Sequence, residues 1–201
     1  MRICMLKYNN VQFATMNIPN LFTYIRIFFI PAIVVVFYIP GKFGHILATI
    51  FFTLAAITDW ADGYLARNLN QATKFGAFLD PVADKLIVSI ALILVVAELG
   101  KAYIAIPAAV IIGREIVISA LREWMADIGK RTSVAVSYVA KIKTALQMLA
   151  VGLLLLYCPK CAYGYKYLIF GIIFLYLAAV MTLWSMYMYI KAAWPDLTSK
   201  D

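Results

Sequence analysis

The chain has 201 residues, of which 65% are hydrophobic, and a mean hydropathy of +0.88. Soluble domains hold about 45–50% apolar residues, and one of this length lacks the interior to hide the surplus, so the composition excludes an ordinary soluble fold and makes the bilayer the solvent. The net charge of +8 would suggest nucleic acid in a soluble protein; in a membrane protein it fits basic residues gathered on the cytoplasmic side against anionic headgroups, and no nucleic-acid partner is expected.

Residues 1–16 read as an N-terminal lead, amphipathic or an over-called start, because a second methionine, Met16, precedes Asn17-Ile18-Pro19-Asn20. Arg2 and Lys7 are followed by no long apolar run or small-residue cleavage site, so no cleavable signal peptide is expected. Residues 17–195 read as one all-α domain of six membrane spans, and 196–201 as a tail. The first span runs from about Leu21 to Ile39, ended by Pro40-Gly41. The second runs from His45 to Arg67, with Asp59, Asp62 and Arg67 at its inner end. The third, Phe75 to Leu99, starts with Asp80, Asp84 and Lys85. The fourth, Ala102 to Trp124, is charged from Arg114 onward. The fifth, Val134 to Tyr157, carries Lys141 and Lys143 in its first turns. The sixth, Tyr163 to Ile190, is closed by Trp194-Pro195.

Spans two to five are polar at one end, and always the same end. With six antiparallel passes, 14 of the 18 Lys and Arg fall on that side, which the positive-inside rule makes cytoplasmic. Tyr103, Tyr163, Tyr165, Tyr187, Tyr189 and Trp194, near span ends, read as interfacial anchors. Cys158 and Cys161 have a CxxC spacing without a second pair, and His45 is the only histidine, so a zinc site is not expected; a disulfide and two free thiols stay open.

Asp59, Asp62, Asp80 and Asp84 lie inside or at the edge of apolar spans, where carboxylates are costly and functional. Asp59 and Asp62 are i,i+3 on one helix, and Asp80 and Asp84 are i,i+4 on the next, so each pair shares a face. Four carboxylates brought together would repel unless a hard divalent cation, Mg²⁺ or Mn²⁺, sat among them, and two ions would clamp a phosphoryl group better than one. Gly63 and Gly76 allow close approach of a ligand or a helix. Arg67 is placed to pair with a phosphate. Pro81 must sit in the first turn of its helix or kink it.

The run Asp59-Trp60-Ala61-Asp62-Gly63-Tyr64-Leu65-Ala66-Arg67, then Gly76, Asp80 and Asp84, resembles the signature of the CDP-alcohol phosphotransferase family at all eight fixed positions. The resemblance implies a six-helix fold with its active site at the cytoplasmic end. It implies that Asp59, Asp62 and Asp80, with Asp84 completing the set, hold divalent metals, and that Asp84 is the general base on the acceptor hydroxyl. It places Asp59, Asp62, Gly63, Ala66, Arg67 and Gly76, with Asn20 and Thr23, around the nucleotide, and it implies a homodimer, of which the periodicity shows nothing.

Three further stretches, Asn17 to Arg26, Gly113 to Glu123 and Ser137 to Thr144, are similar to bacterial phosphatidylglycerophosphate synthases. The residues agree: Arg114, Arg122 and Lys141 face the metal end, and unpaired cations there would suit a second anion. The acceptor expected is sn-glycerol 3-phosphate, taken with CDP-diacylglycerol at the cytoplasmic membrane of a bacterium. Pairing of those cations with Glu115, Glu123 and Asp127, or contact with lipid headgroups, is the plainer alternative. Rival functions are cardiolipin, phosphatidylinositol-phosphate or phosphatidylserine synthesis, cation transport, and a non-catalytic scaffold.

Overall fold

The computed structural model describes residues 18–69, 74–128, 138–161 and 164–198; within them the side chains of 18–23, 59–69, 74–78, 80, 138–141 and 196 fall outside the description. The apolar runs form six helices: α1 (Ile18–Phe37), α2 (Lys42–Leu69), α3 (Lys74–Leu99), α4 (Ala102–Asp127), α5 (Tyr138–Leu156) and α6 (Tyr165–Thr198). A 3-10 turn, Pro159–Cys161, precedes α6, and no strand occurs among the described residues. Expected and observed boundaries agree within a few residues except at the C-terminus. There α6 passes through Pro195 to Thr198, beyond the expected stop and into the expected tail. A proline in the last turns removes only one backbone donor, and the Thr198 hydroxyl donates to the Trp194 carbonyl at 2.9 Å, satisfying an acceptor at the helix end. Pro81 lies well inside α3 rather than in its first turn.

α1 packs on α2, α2 on α5, α5 on α6, α6 on α4, α4 on α3 and α3 back on α1, with α3 also touching α5. Small residues occupy the closest approaches: Ala48, Ala55, Ala91, Ala150 and Ala178 are fully buried. Large apolar side chains such as Phe28, Val35, Ile106, Ile116, Val180 and Trp184 point outward and are more than 60% exposed. The core also holds large side chains such as Ile33, Phe52, Leu92 and Leu175, but an exterior this apolar is the reverse of a soluble surface. Small residues inside let helices approach where lipid gives no hydrophobic drive between them, and the large side chains meet the hydrocarbon. α4 and α6 are by themselves long and apolar enough to cross a membrane; Tyr24–Phe37, Lys42–Thr58 and Ile142–Leu156 are shorter apolar stretches. The chain is a helical membrane protein.

Contacts between helices sort into two ends. At one end Nδ1 of His45, on α2, lies 3.1 Å from the carbonyl oxygen of Leu155 at the close of α5. The edge of the Phe37 ring meets the same imidazole. Tyr176, three turns into α6, donates to the Tyr103 carbonyl at the start of α4 at 2.9 Å, and Lys160 lies 3.8 Å from Glu98 at the end of α3. His45 is thus a structural residue. Gly41 and Gly100 turn the chain here with φ of 88° and 59°, values that favour glycine. Cys158 and Cys161 form a disulfide at this same end, resolving the alternative left open by their spacing. The opposite end holds Arg26, Asp84, Lys85, Arg114, Glu115 and Lys143.

Candidate active site

The two acidic pairs fall at matching heights. Asp59 stands ten residues before Leu69, where α2 ends, and Asp84 ten after Lys74, where α3 begins. Asp62 and Asp80 stand seven and six residues from those same ends. At about 1.5 Å per residue the pairs sit roughly 15 Å and 10 Å from the polar ends of their helices. The side chains of Asp59, Asp62 and Asp80, like those of Asn20, Thr23, Ala66 and Arg67, lie outside the described residues, as does the surrounding of Gly63 and Gly76.

Asp84 is described, and it is held from α1. The Arg26 guanidinium donates to its Oδ1 at 2.6 Å; Arg26 is 1% exposed and the Asp84 side chain 40%. A buried arginine is sustained only by a close, well-bonded counter-charge. Its partner is thereby anchored in place while staying partly exposed. Arg26 was not singled out from the sequence as a site residue, although a lone cation inside an apolar helix is itself a signal.

Beside Asp84 a cavity of about 190 Å³ opens between α3, α4 and α5. Each helix contributes one face at i, i+1, i+4 spacing: Asp84, Lys85, Val88 and Ser89 from α3; Ile111, Ile112 and Glu115 from α4; Lys143, Thr144, Gln147 and Met148 from α5. Its lining mixes apolar side chains with the charged groups of Asp84, Lys85, Glu115 and Lys143. The volume is below the roughly 300–1,000 Å³ of drug-sized pockets, which suits a small polar molecule rather than a lipid.

The expected acceptor cations divide. Arg114 is buried and turned away from the cavity: it donates to Glu115 at 3.0 Å and to Ser185 Oγ at 2.9 Å, and its guanidinium lies 5.9 Å from the centre of the Tyr189 ring. The expectation that it is unpaired is corrected. A guanidinium in the contact between α4 and α6 needs acceptors, and Glu115 and Ser185 supply them. Arg122, two turns further along α4, is exposed and does not line the cavity. The Lys141 side chain lies outside the described residues. Lys143 instead reaches the cavity, 3.7 Å from Glu115, and Lys85 lines it while donating to the Ser119 hydroxyl.

A divalent metal fits the donor set by chemistry. Carboxylate oxygens are what Mg²⁺ and Mn²⁺ take, and α2 and α3 offer two pairs at equal heights. Among the described residues no group of three or more His, Cys, Asp or Glu comes together.

The model of the CDP-alcohol phosphatidyltransferase family matches residues 16–184. The chain is 52% identical over 181 residues to the CDP-diacylglycerol–glycerol-3-phosphate 3-phosphatidyltransferase of Salmonella choleraesuis (strain SC-B67), covering 90% of this chain and 97% of that relative. It is 52% identical over 183 residues to the Pseudomonas fluorescens protein of the same name, covering 90% and 92%. With the Escherichia coli (strain K12) protein of that name it shares 51% over 181 residues, covering 90% and 97%. A signature shared at every fixed position, an Asp84 anchored beside a cavity of small-molecule size and a match along most of the chain converge: the chain belongs to the CDP-alcohol phosphatidyltransferase family.

Proposed function

We propose that the chain transfers the phosphatidyl group of CDP-diacylglycerol to sn-glycerol 3-phosphate, releasing CMP and forming phosphatidylglycerophosphate. The observation that carries this is the identity of about half of all residues, over 90% of the chain, to proteins named for this reaction. The cavity beside Asp84 is in keeping with it, carrying Lys85 and Lys143 among its lining and being sized for a small phosphorylated alcohol.

In this reading Asp84 accepts the proton of the acceptor hydroxyl as that oxygen bonds to the β-phosphorus, and the bond from phosphorus to the CMP oxygen breaks. Arg26 keeps the Asp84 carboxylate aimed. Asp59, Asp62, Asp80 and Asp84 would hold one or two Mg²⁺ or Mn²⁺ ions, which when bound polarise the phosphoryl oxygens and neutralise the leaving charge. Asn20, Thr23, Gly63, Ala66, Arg67 and Gly76 surround the nucleotide. Arg114 would order the wall behind the acceptor through Glu115, and Lys141 and Arg122 would attract the anionic acceptor.

The six helices each have 19 residues or more, about 28 Å at the least, which matches a hydrocarbon core near 30 Å. All six cross the inner membrane, with the charged end in the cytoplasm, where nucleotide and glycerol phosphate are available.

The test is a purified-enzyme assay offering CDP-diacylglycerol with sn-glycerol 3-phosphate, serine, phosphatidylglycerol or inositol phosphate separately, each with Mg²⁺, Mn²⁺ or chelator. CMP release is expected with sn-glycerol 3-phosphate alone and is abolished by chelation. Release with serine but not with sn-glycerol 3-phosphate overturns the acceptor.

A further inference from the structure

Two cations line the cavity among the described residues, Lys85 and Lys143, and two more, Arg26 and Arg114, bond the carboxylates that line it; all but Lys85 have a carboxylate. Arg26 has Asp84. Arg114 and Lys143 share Glu115. Lys85 has the Ser119 hydroxyl, a neutral partner from the next helix. An ammonium donates up to three hydrogen bonds and accepts none, so a single hydroxyl leaves most of its capacity, and all of its charge, unanswered. Lys85 is neither fully buried nor at a rim where water would answer it freely; it lines the cavity itself.

Its position in the chain gives the unanswered charge a use. Lys85 follows Asp84 directly on α3, and both line the same cavity. An anion bound by Lys85 is therefore held beside the general base. Ser119 fixes the ammonium from α4, so that the long, flexible side chain is already ordered and less conformational freedom is lost on binding.

Resting on the reaction proposed above, we infer that Lys85, tethered by Ser119, is a specificity-determining residue: it takes the phosphate of the acceptor and thereby presents the acceptor's free hydroxyl to Asp84. Arg114 cannot serve this way directly, because its guanidinium is committed to Glu115 and Ser185. Discrimination between a phosphorylated alcohol and its unphosphorylated analogue then lies largely in one side chain of α3.

The experiment compares wild type with Lys85→Gln, Lys85→Arg and Ser119→Ala in the full-length chain, purified in detergent, varying each substrate at saturation of the other. Lys85→Gln is expected to raise KM for sn-glycerol 3-phosphate about 10- to 100-fold, the span of a lost charge-assisted hydrogen bond. KM for CDP-diacylglycerol stays within about twofold, since a lost ground-state contact to one substrate leaves the other unaffected. Lys85→Arg restores most of the affinity, and Ser119→Ala raises the same KM by about three- to tenfold. The decisive readout is the preference for sn-glycerol 3-phosphate over glycerol, which falls at least tenfold in Lys85→Gln through loss with the phosphorylated acceptor alone. A purely structural role would move both KM values and both acceptors together, and that result overturns the inference. So does an unmoved KM in Lys85→Gln. Should that variant fail to fold, Ser119→Ala and Lys85→Arg decide in the same way: an acceptor KM unmoved in Ser119→Ala overturns the inference. Absence of CMP release by wild type with sn-glycerol 3-phosphate sinks the reaction instead, and so is distinguishable.

Discussion

At the scale of single residues, the ion pair of Arg26 and Asp84 couples chemistry to folding. The carboxylate is the base of the proposed reaction, and it is also the counter-charge of a buried guanidinium. Asp84→Asn keeps an oxygen for Arg26 and removes the base. CMP release should fall by about 100-fold or more, the range of general-base contributions. Equilibrium binding of CDP-diacylglycerol should stay within a few-fold. Turnover within tenfold of wild type would exclude Asp84 as the base. Arg26→Met should act differently. It leaves the carboxylate but removes its anchor, so kcat drops by roughly tenfold with little change in either KM, because misplacement penalises the transition state more than binding. Rescue in Arg26→Lys would show that a positioned charge, rather than bulk, is what Asp84 requires.

At the scale of helices, much was legible from hydropathy alone, because membrane spans must be long, apolar and internally hydrogen-bonded. The beginnings and ends of α2, α3 and α4 lie within about three residues of where the apolar runs place them. The acidic pairs stand out in the sequence for a similar reason: carboxylates inside apolar spans have few structural explanations. What was not legible is which cation meets which acid. Arg114 and Arg122 look equivalent by spacing, two turns apart on α4. Only the packing of α6 separates them: it brings Ser185 and Tyr189 against the first, while the second is exposed. Arg26 was overlooked for the same reason: its partner lies 58 residues away.

The contacts of Arg114 with Glu115 and of Glu115 with Lys143 tie α4 to α5, and the Arg114 contact with Ser185 ties α4 to α6. Since Arg114 and Lys143 are buried, Glu115→Ala strands two cations in low dielectric. A cost of about 3–5 kcal/mol is expected for breaking such a pair, read as a fall in Tm of roughly 10 °C by thermal unfolding in detergent. Arg114→Ala should destabilise as well, and the double variant by less than the sum, because each single change leaves the other's charge unmatched. Strict additivity would mean that the contact contributes nothing.

At the scale of the whole molecule, polarity is divided between two ends. One end gathers Arg26, Asp84, Lys85, Glu115 and Lys143. The other gathers His45, the Cys158–Cys161 disulfide and the tight turns at Gly41 and Gly100. Two independent considerations support the proposed orientation of this axis. The excess of Lys and Arg favours the charged end in the cytoplasm. Disulfides persist in oxidising compartments and are rare in the cytosol, which favours the other end outside. The two agree, and they make a joint prediction. In a background with Cys4, Cys158 and Cys161 replaced by alanine, Lys101→Cys lies exposed at the start of α4 and Asp127→Cys exposed at its end. A membrane-impermeant maleimide added to intact cells should label Lys101→Cys and not Asp127→Cys, and permeabilisation should expose the second. The opposite pattern would turn the molecule over and put the nucleotide site on the side that lacks CDP-diacylglycerol's water-soluble product pool and the acceptor alike. Labelling of both positions from one side would mean that α4 does not cross the bilayer, and the six-span arrangement would fall with it.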